Sequence, residues 1–203
     1  LYIAMDAVAA LRYDGYSYLD QTISELSAVG APTRSMWLPL GLAYAVLTLA
    51  GAAGIWFAAS GSRRTRVVAV CITAVGVLGL VAWPFAPMHQ RAVLAAGGGT
   101  FADTMHLALG GADTLLFVLA MVFGAGVFGR RFRLLSFAML AAVLIAGSLT
   151  SMQAGAVADN GDTPWIGVTE RIGVFGSMIW VAIFALALLR RQRSLEEAHH
   201  VTA

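Results

Sequence analysis

Residues 104–129 read TMHLALGGADTLLFVLAMVFGAGVFG, an apolar run that sets the expected architecture of the chain. The run is long enough to cross a bilayer as an α-helix, because about 20 residues rising 1.5 Å each span roughly 30 Å of hydrocarbon. It nevertheless holds two ionisable residues, His106 and Asp113. They are about two turns apart and therefore share one face of the helix. Where that face points depends on the other apolar runs.

The composition indicates an integral membrane protein. Of 203 residues, 59% are hydrophobic and 12% are charged, and the mean hydropathy is +0.78. An ordinary soluble domain has about 25% charged residues. Because the apolar runs are continuous and do not alternate, they predict helices. We expect an all-α, polytopic transmembrane helical bundle of six spans, at 1–12, 37–59, 67–86, 106–128, 134–154 and 168–189.

The first of these spans is shorter than a bilayer requires. It reads LYIAMDAVAALR and begins with Leu1 instead of Met, so we interpret it as the outer part of a helix whose start is missing. It lacks the basic region and the small-residue cleavage site of a signal peptide. We therefore expect one membrane-embedded domain over 1–203 that ends in a cytoplasmic tail, 190–203.

The placement of arginine predicts the orientation. Nine of the thirteen basic residues follow the second, fourth and sixth spans in three clusters: Arg63, Arg64 and Arg66; Arg130, Arg131 and Arg133; and Arg190, Arg191 and Arg193. Short loops rich in arginine stay on the cytoplasmic side. Both termini are therefore expected inside, in a bacterial inner membrane, with the three longer loops outside. Since the arginines lie at span ends, no nucleic-acid partner is expected.

Polar residues of four spans fall in the outer half of the membrane. Besides His106 and Asp113 they include Asp6, Gln153, Glu170 and Arg171. Ionisable side chains in lipid are costly and usually face a bundle interior or a water-filled cavity. We therefore expect an outward-facing polar pocket walled by the first, fourth, fifth and sixth spans. Arg171 is the cation expected to neutralise Asp113, Glu170 or Asp6. The alternative is a polar network that only fixes helix packing.

The first outer loop, 13–36, is expected to contain a short amphipathic helix. Leu19, Ile23 and Leu26 recur at helical spacing, and Gly30 and Pro32 end the pattern. The helix could be a lid over the pocket or a connector resting on lipid headgroups. Aromatic residues of the same region are expected to act as interfacial anchors, namely Tyr13, Tyr16, Tyr18 and Trp37.

Pairs of glycine within the spans are expected to let helices approach one another closely. The pairs are Gly51 with Gly54, Gly76 with Gly79, and Gly173 with Gly176. Small residues at this kind of spacing are common where transmembrane helices pack.

His89 and His106 are weak candidates for metal ligands. With Asp103 or Asp113 they could form a three-ligand zinc site with an open position, the arrangement used for hydrolysis. The two histidines come from separated segments, and no H-x-x-x-H pair supports such a site. No cofactor is predicted, and zinc is kept as the alternative.

Several short motifs resemble the bacterial DUF998 family of multi-span membrane proteins. They are YSYLDQTISELSAVGAPTRSMW, WPFAPMHQR, DTMHLALGGAD and GVTERIGVFG, and together they cover nearly the whole chain. The resemblance implies a helical bundle with polar motifs on its outer face. In this sequence those motifs are carried by Ser24, Glu25, His89, His106, Glu170 and Arg171. The resemblance implies no activity.

Three functional hypotheses follow. The first is a membrane protein whose outward-facing polar pocket binds a small molecule or a lipid headgroup without covalent chemistry. The second is an intramembrane, metal-dependent lipid hydrolase. The third is a scaffold or accessory subunit whose buried charges only set packing. Membrane lipids are the expected partners in all three, and the ligand-binding candidates are Asp6, Ser24, Glu25, His89, His106, Asp113, Gln153, Glu170 and Arg171.

Overall fold

The computed structural model describes residues 1–202, with side chains described through Ser194 and at Glu197. Residue 203, the end of the predicted cytoplasmic tail, lies outside the described residues. The elements in chain order are α1 (Tyr2–Arg12), a 3-10 helix (Ile23–Ser27), α2 (Arg34–Phe57), α3 (Arg63–Val81), a second 3-10 helix (Trp83–Phe85), α4 (Arg91–Ala95), α5 (Phe101–Gly124), α6 (Arg130–Met152), α7 (Ala154–Ala158) and α8 (Ile166–Thr202).

Five of the helices are long and apolar enough to cross a membrane. They are Arg34–Phe57, Arg63–Phe85, Phe101–Gly124, Arg130–Met152 and Ile166–Ser194. Each corresponds to one of the expected spans from the second to the sixth, with starts two to five residues earlier than the sequence indicated. The expected first span corresponds to α1, which has 11 residues and is too short to cross alone. The chain is thus an all-α, multi-span membrane protein, and the sixth span and the orientation stay predictions.

Local sequence explains where the long helices begin. Ser62 precedes α3, and its side chain accepts a hydrogen bond from the backbone N–H of Thr65. Thr100 precedes α5 and forms a capping box with Asp103. These caps satisfy backbone N–H groups that have no partner within the helix.

The helices pack as two groups that join at one end. In the first group α3 packs against α2 and α5, and α1 packs against α2; in the second, α6 packs against α8. The groups meet around the fully buried Trp180 and Phe184 of α8, which pack with apolar residues of α2, α3, α5 and α6. This core lies toward the end of the bundle that carries the arginine clusters. At that end Arg64 donates a hydrogen bond of 2.8 Å to the carbonyl oxygen of Gly126, so the first two arginine-rich loops adjoin each other.

The opposite end is covered by the three longer loops, which bind one another. The guanidinium of Arg91 donates to Glu25 and Asp20 of the first loop and to Gly161 and Thr163 of the third. The N–H of Gly167 donates to the carbonyl oxygen of Leu19 at 2.9 Å. We call residues 13–33, 82–100 and 153–165 together the outer cap, after the side of the membrane on which the arginine clusters predict it to lie.

The first outer loop differs from the expected amphipathic α-helix. It has a five-residue 3-10 helix, Ile23–Ser27, that begins with a capping box between Thr22 and Glu25. Ile23 and Leu26 are 2% and 0% exposed, whereas Leu19 is 46% exposed. The segment is therefore anchored into the bundle by two side chains. The expected helix began too early, because Leu19 has helical spacing to Ile23 and Leu26 but lies before the 3-10 helix.

Candidate functional site

A cavity of about 1180 Å³ lies between the two helix groups, beneath the outer cap. Residues of α2, α3, α5, α6 and α8 line it, and most of its wall is apolar. The cavity exists because α2, α3 and α5 separate from α6 and α8 beyond the aromatic core.

Glycines enlarge this cavity. A Cβ atom added to Gly110, Gly147 or Gly173, all of which line the cavity, would meet no atom within 4 Å. The interpretation of the glycine pairs as close packing positions is therefore right for some and wrong for others. A Cβ would meet Leu49 at Gly76, Ala45 at Gly79 and Val143 at Gly176, at 2.7, 2.9 and 3.3 Å. At Gly51, Gly54 and Gly173 it would meet nothing.

His106 and Ser24 meet at the outer end of the cavity, and both line it. Nε2 of His106 lies 3.0 Å from Oγ of Ser24, and Nδ1 lies 2.8 Å from the carbonyl oxygen of Ala86. The indole of Trp83 packs edge-on against the imidazole, with 4.8 Å between ring centroids. Both ring nitrogens of His106 are thus engaged, and the ring orientation is fixed.

Glu170 lies beside this pair and also lines the cavity. It accepts a hydrogen bond from the backbone N–H of Ile23, and its Oε1 lies 3.3 Å from Oγ of Ser24. The start of α8 is therefore tied to the 3-10 helix of the outer cap. Three of the predicted site residues, Ser24, His106 and Glu170, are brought together here.

Asp113 is the fourth predicted residue that lines the cavity, about 10 Å further along α5 than His106 at 1.5 Å per residue. Its Oδ2 accepts a hydrogen bond of 2.9 Å from Nε1 of Trp83. Its Oδ1 is buried and has no hydrogen-bond partner among the described residues. Buried polar atoms are usually paired, so this oxygen can accept a donor from a molecule in the cavity.

Asp6 and Arg171 form an ion pair that does not line the cavity. Both are buried, and the guanidinium also donates to the hydroxyl of Tyr16 and to the carbonyl oxygen of Tyr18. Within the described residues Arg171 pairs with Asp6 and forms no ion pair with Asp113 or Glu170. Of the three acids that Arg171 was expected to neutralise, it pairs with Asp6 and not with the two that line the cavity, because its guanidinium is saturated by α1 and the outer cap.

Glu25 also lies outside the cavity, in an ion pair with Arg91. The Nε–Oε1 and Nη2–Oε2 distances are 2.6 and 2.8 Å, a two-point contact. Burial by itself would raise the pKa of Glu25, but hydrogen bonds from Arg91, Gln21 and Thr22 outweigh it and leave the pKa below its ordinary value. This pair holds the outer cap together.

His89 and Gln153 do not line the cavity either. Nδ1 of His89 lies 2.9 Å from Oδ2 of Asp103, and Oε1 of Gln153 has no partner among the described residues. No group of three or more histidine, cysteine, aspartate or glutamate residues within the described part of the chain has the geometry of a metal site. His89 and His106 each have other partners.

Several residues of this region were not singled out by the sequence. Trp83 touches both His106 and Asp113, and Arg91 joins all three outer loops. Tyr16 and Tyr18, expected as lipid anchors, bind instead to the ion pair, since Tyr18 donates to Asp6 at 2.8 Å. Trp83 and Arg91 could have been found from the motif WPFAPMHQR, because it contains both of them together with the predicted site residue His89.

The comparisons with known proteins point to a family without an assigned activity. The family described as "Protein of unknown function (DUF998)" matches residues 1–187, nearly the whole chain. No curated protein and no solved structure matches the chain significantly.

Proposed function

The chain belongs to the DUF998 family, and we propose that it binds one membrane lipid or lipid-like amphipathic molecule in the cavity between its two helix groups. The apolar part of the ligand lies between the helices. Its headgroup lies under the outer cap, against Ser24, His106 and Glu170.

The observation that carries this proposal is the cavity itself. Ligand sites in proteins are mostly apolar clefts of about 300–1,000 Å³ with a few polar groups that fix orientation. The cavity of about 1180 Å³ is somewhat larger than that range and has the same distribution of polarity. Its polar side chains gather toward one end, as an amphipathic ligand requires.

The charges of the lining favour a particular class of headgroup. Three acidic residues line the cavity, Asp103, Glu170 and Asp113, and Arg34 is the lining cation within the described residues. Arg34 is already bound to the carbonyl oxygen of Ser27. A headgroup with hydroxyl or amine donors fits these acceptors better than a bare anion does.

A scaffold function is the second candidate, and the two satisfied ion pairs favour it. Asp6 with Arg171, and Glu25 with Arg91, lie outside the cavity and join separate parts of the chain. If packing were the whole function, Asp113→Asn and His106→Ala would lower thermal stability without altering the amount of bound lipid.

We propose that the protein lies in a bacterial inner membrane, and the arginine clusters support this location.

A metal-dependent hydrolase is a weaker candidate, because His89 is bound to Asp103 and His106 to Ser24 and Ala86. Stoichiometric zinc in the purified protein would favour it.

Native mass spectrometry of the purified protein tests the binding proposal. A copurified lipid is expected on the wild type and is expected to be lost in Gly147→Leu, whose side chain would enter the cavity. Gly51→Leu is the matched control, because Gly51 also has open space around it but does not line the cavity. Equal lipid occupancy in both variants and the wild type would overturn the proposal.

A further inference from the structure

The contact between Ser24 and His106 has the geometry of a nucleophile and its base. Oγ of Ser24 is 3.0 Å from Nε2 of His106, within the range of about 2.6–3.2 Å for such pairs. The carbonyl oxygen of Ala86 can only accept, so Nδ1 of His106 must carry a proton. In the neutral imidazole Nε2 is then the acceptor, and the hydroxyl of Ser24 donates to it.

The pair is held rigidly in place. His106 is 9% exposed. Its Nδ1 contacts the carbonyl oxygen of Ala86, and Trp83 packs edge-on against its ring. Ser24 lies in the 3-10 helix that Ile23 and Leu26 anchor into the bundle. A base oriented by a third group, next to a hydroxyl that reaches a cavity, is the arrangement that acyl-transfer enzymes use.

The hydroxyl of Ser24 has a second acceptor in reach. Oε1 of Glu170 lies 3.3 Å from Oγ, farther than Nε2 of His106. One hydroxyl proton serves one strong hydrogen bond, and the shorter contact directs it to the imidazole. Glu170 is a positioning residue in this arrangement, because it fixes the 3-10 helix through the N–H of Ile23.

We propose that Ser24 is a nucleophile and His106 its general base, in a reaction that cleaves the acyl ester of a lipid bound in the cavity. The choice of a lipid ester rests on the proposed function, whereas the assignment of the two residues rests on their geometry. The reaction needs no redox partner and no metal, and water is the co-substrate.

Hydrolysis of the ester proceeds in two half-reactions on Ser24. Nε2 of His106 takes the proton of Ser24 while Oγ forms a bond to the ester carbonyl carbon. The bond from that carbon to the alcohol oxygen then breaks, and the imidazolium returns its proton to the departing alkoxide. Water attacks the acyl-serine with His106 again as base, which releases a carboxylic acid and restores Ser24.

A fluorophosphonate probe tests the assignment directly, because it phosphonylates activated serine hydroxyls. We expect peptide mass spectrometry of the purified protein to find the label on Ser24. His106→Gln should slow labelling by about 10²-fold, the lower end of general-base contributions. Ser27 is the internal control, since it lies in the same 3-10 helix and lines the same cavity, but donates to the carbonyl oxygen of Ser24.

A second assay measures fatty acid released from vesicles of ester-linked lipid, with Ser24→Ala as the inactive variant. Ser24→Ala should keep its thermal stability while losing release. Absence of both labelling and release from a wild-type protein that holds lipid would overturn the inference and leave lipid binding intact. Labelling of Ser24 in a protein that holds no lipid would support the pair and contradict the binding proposal instead.

Discussion

Arg171 holds Asp6 through two hydrogen bonds, from Nε to Oδ2 at 3.0 Å and from Nη2 to Oδ1 at 2.9 Å. The contact joins the short first helix to the start of the last one, across 165 residues of chain. Both side chains are almost completely buried, at 5% and 0% exposure. The centre of the Tyr18 ring lies 3.6 Å from the guanidinium carbon of Arg171. The ion pair and this ring together hold α1 against the bundle.

Arg171→Met should destabilise the protein strongly, because it leaves the carboxylate of Asp6 buried without a cation to neutralise it. Removal of one member of a buried ion pair costs about 3–5 kcal/mol. The double variant Asp6→Leu with Arg171→Met should recover most of that loss. Arg12→Met, at an exposed position, is the control and should stay within about 0.5 kcal/mol of the wild type. Equilibrium unfolding in mild detergent measures the free energy of unfolding of all three variants. An Arg171→Met protein as stable as the wild type would contradict the expectation.

Gly167→Ala should destabilise the junction between α8 and the outer cap. An added Cβ would contact the carbonyl oxygens of Gln21 and Tyr18, which belong to backbone and cannot move alone. Overpacking of this kind costs about 1–3 kcal/mol. Gly173→Ala is the matched change in the same helix, where nothing lies within 4 Å. It should stabilise by up to about 1 kcal/mol through helix propensity. The same sign of change in melting temperature for both variants would count against this packing.

The outer cap should loosen in acid. The pKa of Glu25 lies below its ordinary value in the folded protein, so the unfolded chain binds more protons there. The contribution of Glu25 to stability is therefore complete above the unfolded value of about 4.3, and is lost as pH falls through the folded pKa. Hydrogen-exchange protection factors of residues 20–28, referenced to the intrinsic exchange rate at each pH, measure it between pH 3 and 6. Glu25→Gln should remove this pH dependence, and a wild type whose protection factors do not fall in acid would refute it.

The arginine clusters predict which end of the bundle faces the cytoplasm. In a background with the buried Cys71 replaced, Ala96→Cys in the outer cap should react with an impermeant maleimide in intact cells. Gly129→Cys, beside the second cluster, should react after permeabilisation alone. The opposite pattern would invert the orientation.

The sequence predicted the five long helices because each is a continuous apolar run bounded by arginine, proline or glycine. The spacing of His106 and Asp113 also predicted that they share one face of a helix. That this face points inward was predicted because ionisable side chains are costly in lipid. It did not predict that His106 meets Ser24. That contact depends on the depth at which Ile23 and Leu26 anchor the 3-10 helix.

The sequence left the partner of Arg171 open among three acids for a related reason. Arg171 had three acidic residues within plausible reach, and sequence spacing does not rank partners on different helices. Tyr16 and Tyr18 favour Asp6 as the partner of Arg171, because they complete the surroundings of the guanidinium beside Asp6.

The cavity could not be predicted from the sequence either, because its size depends on how far the two helix groups separate, and no local sequence pattern encodes that distance.

Crosslinking with a lipid that carries a photoreactive acyl chain tests the central claim, that a lipid chain enters the bundle. In the wild type the crosslinks should map to cavity residues whose side chains are buried or half-buried, such as Phe117 and Val143, and should disappear in Gly147→Leu. Leu115 and Ile145 provide the comparison, because they are exposed on the same helices and do not line the cavity. Crosslinks confined to Leu115 and Ile145, and unchanged by Gly147→Leu, would contradict the claim.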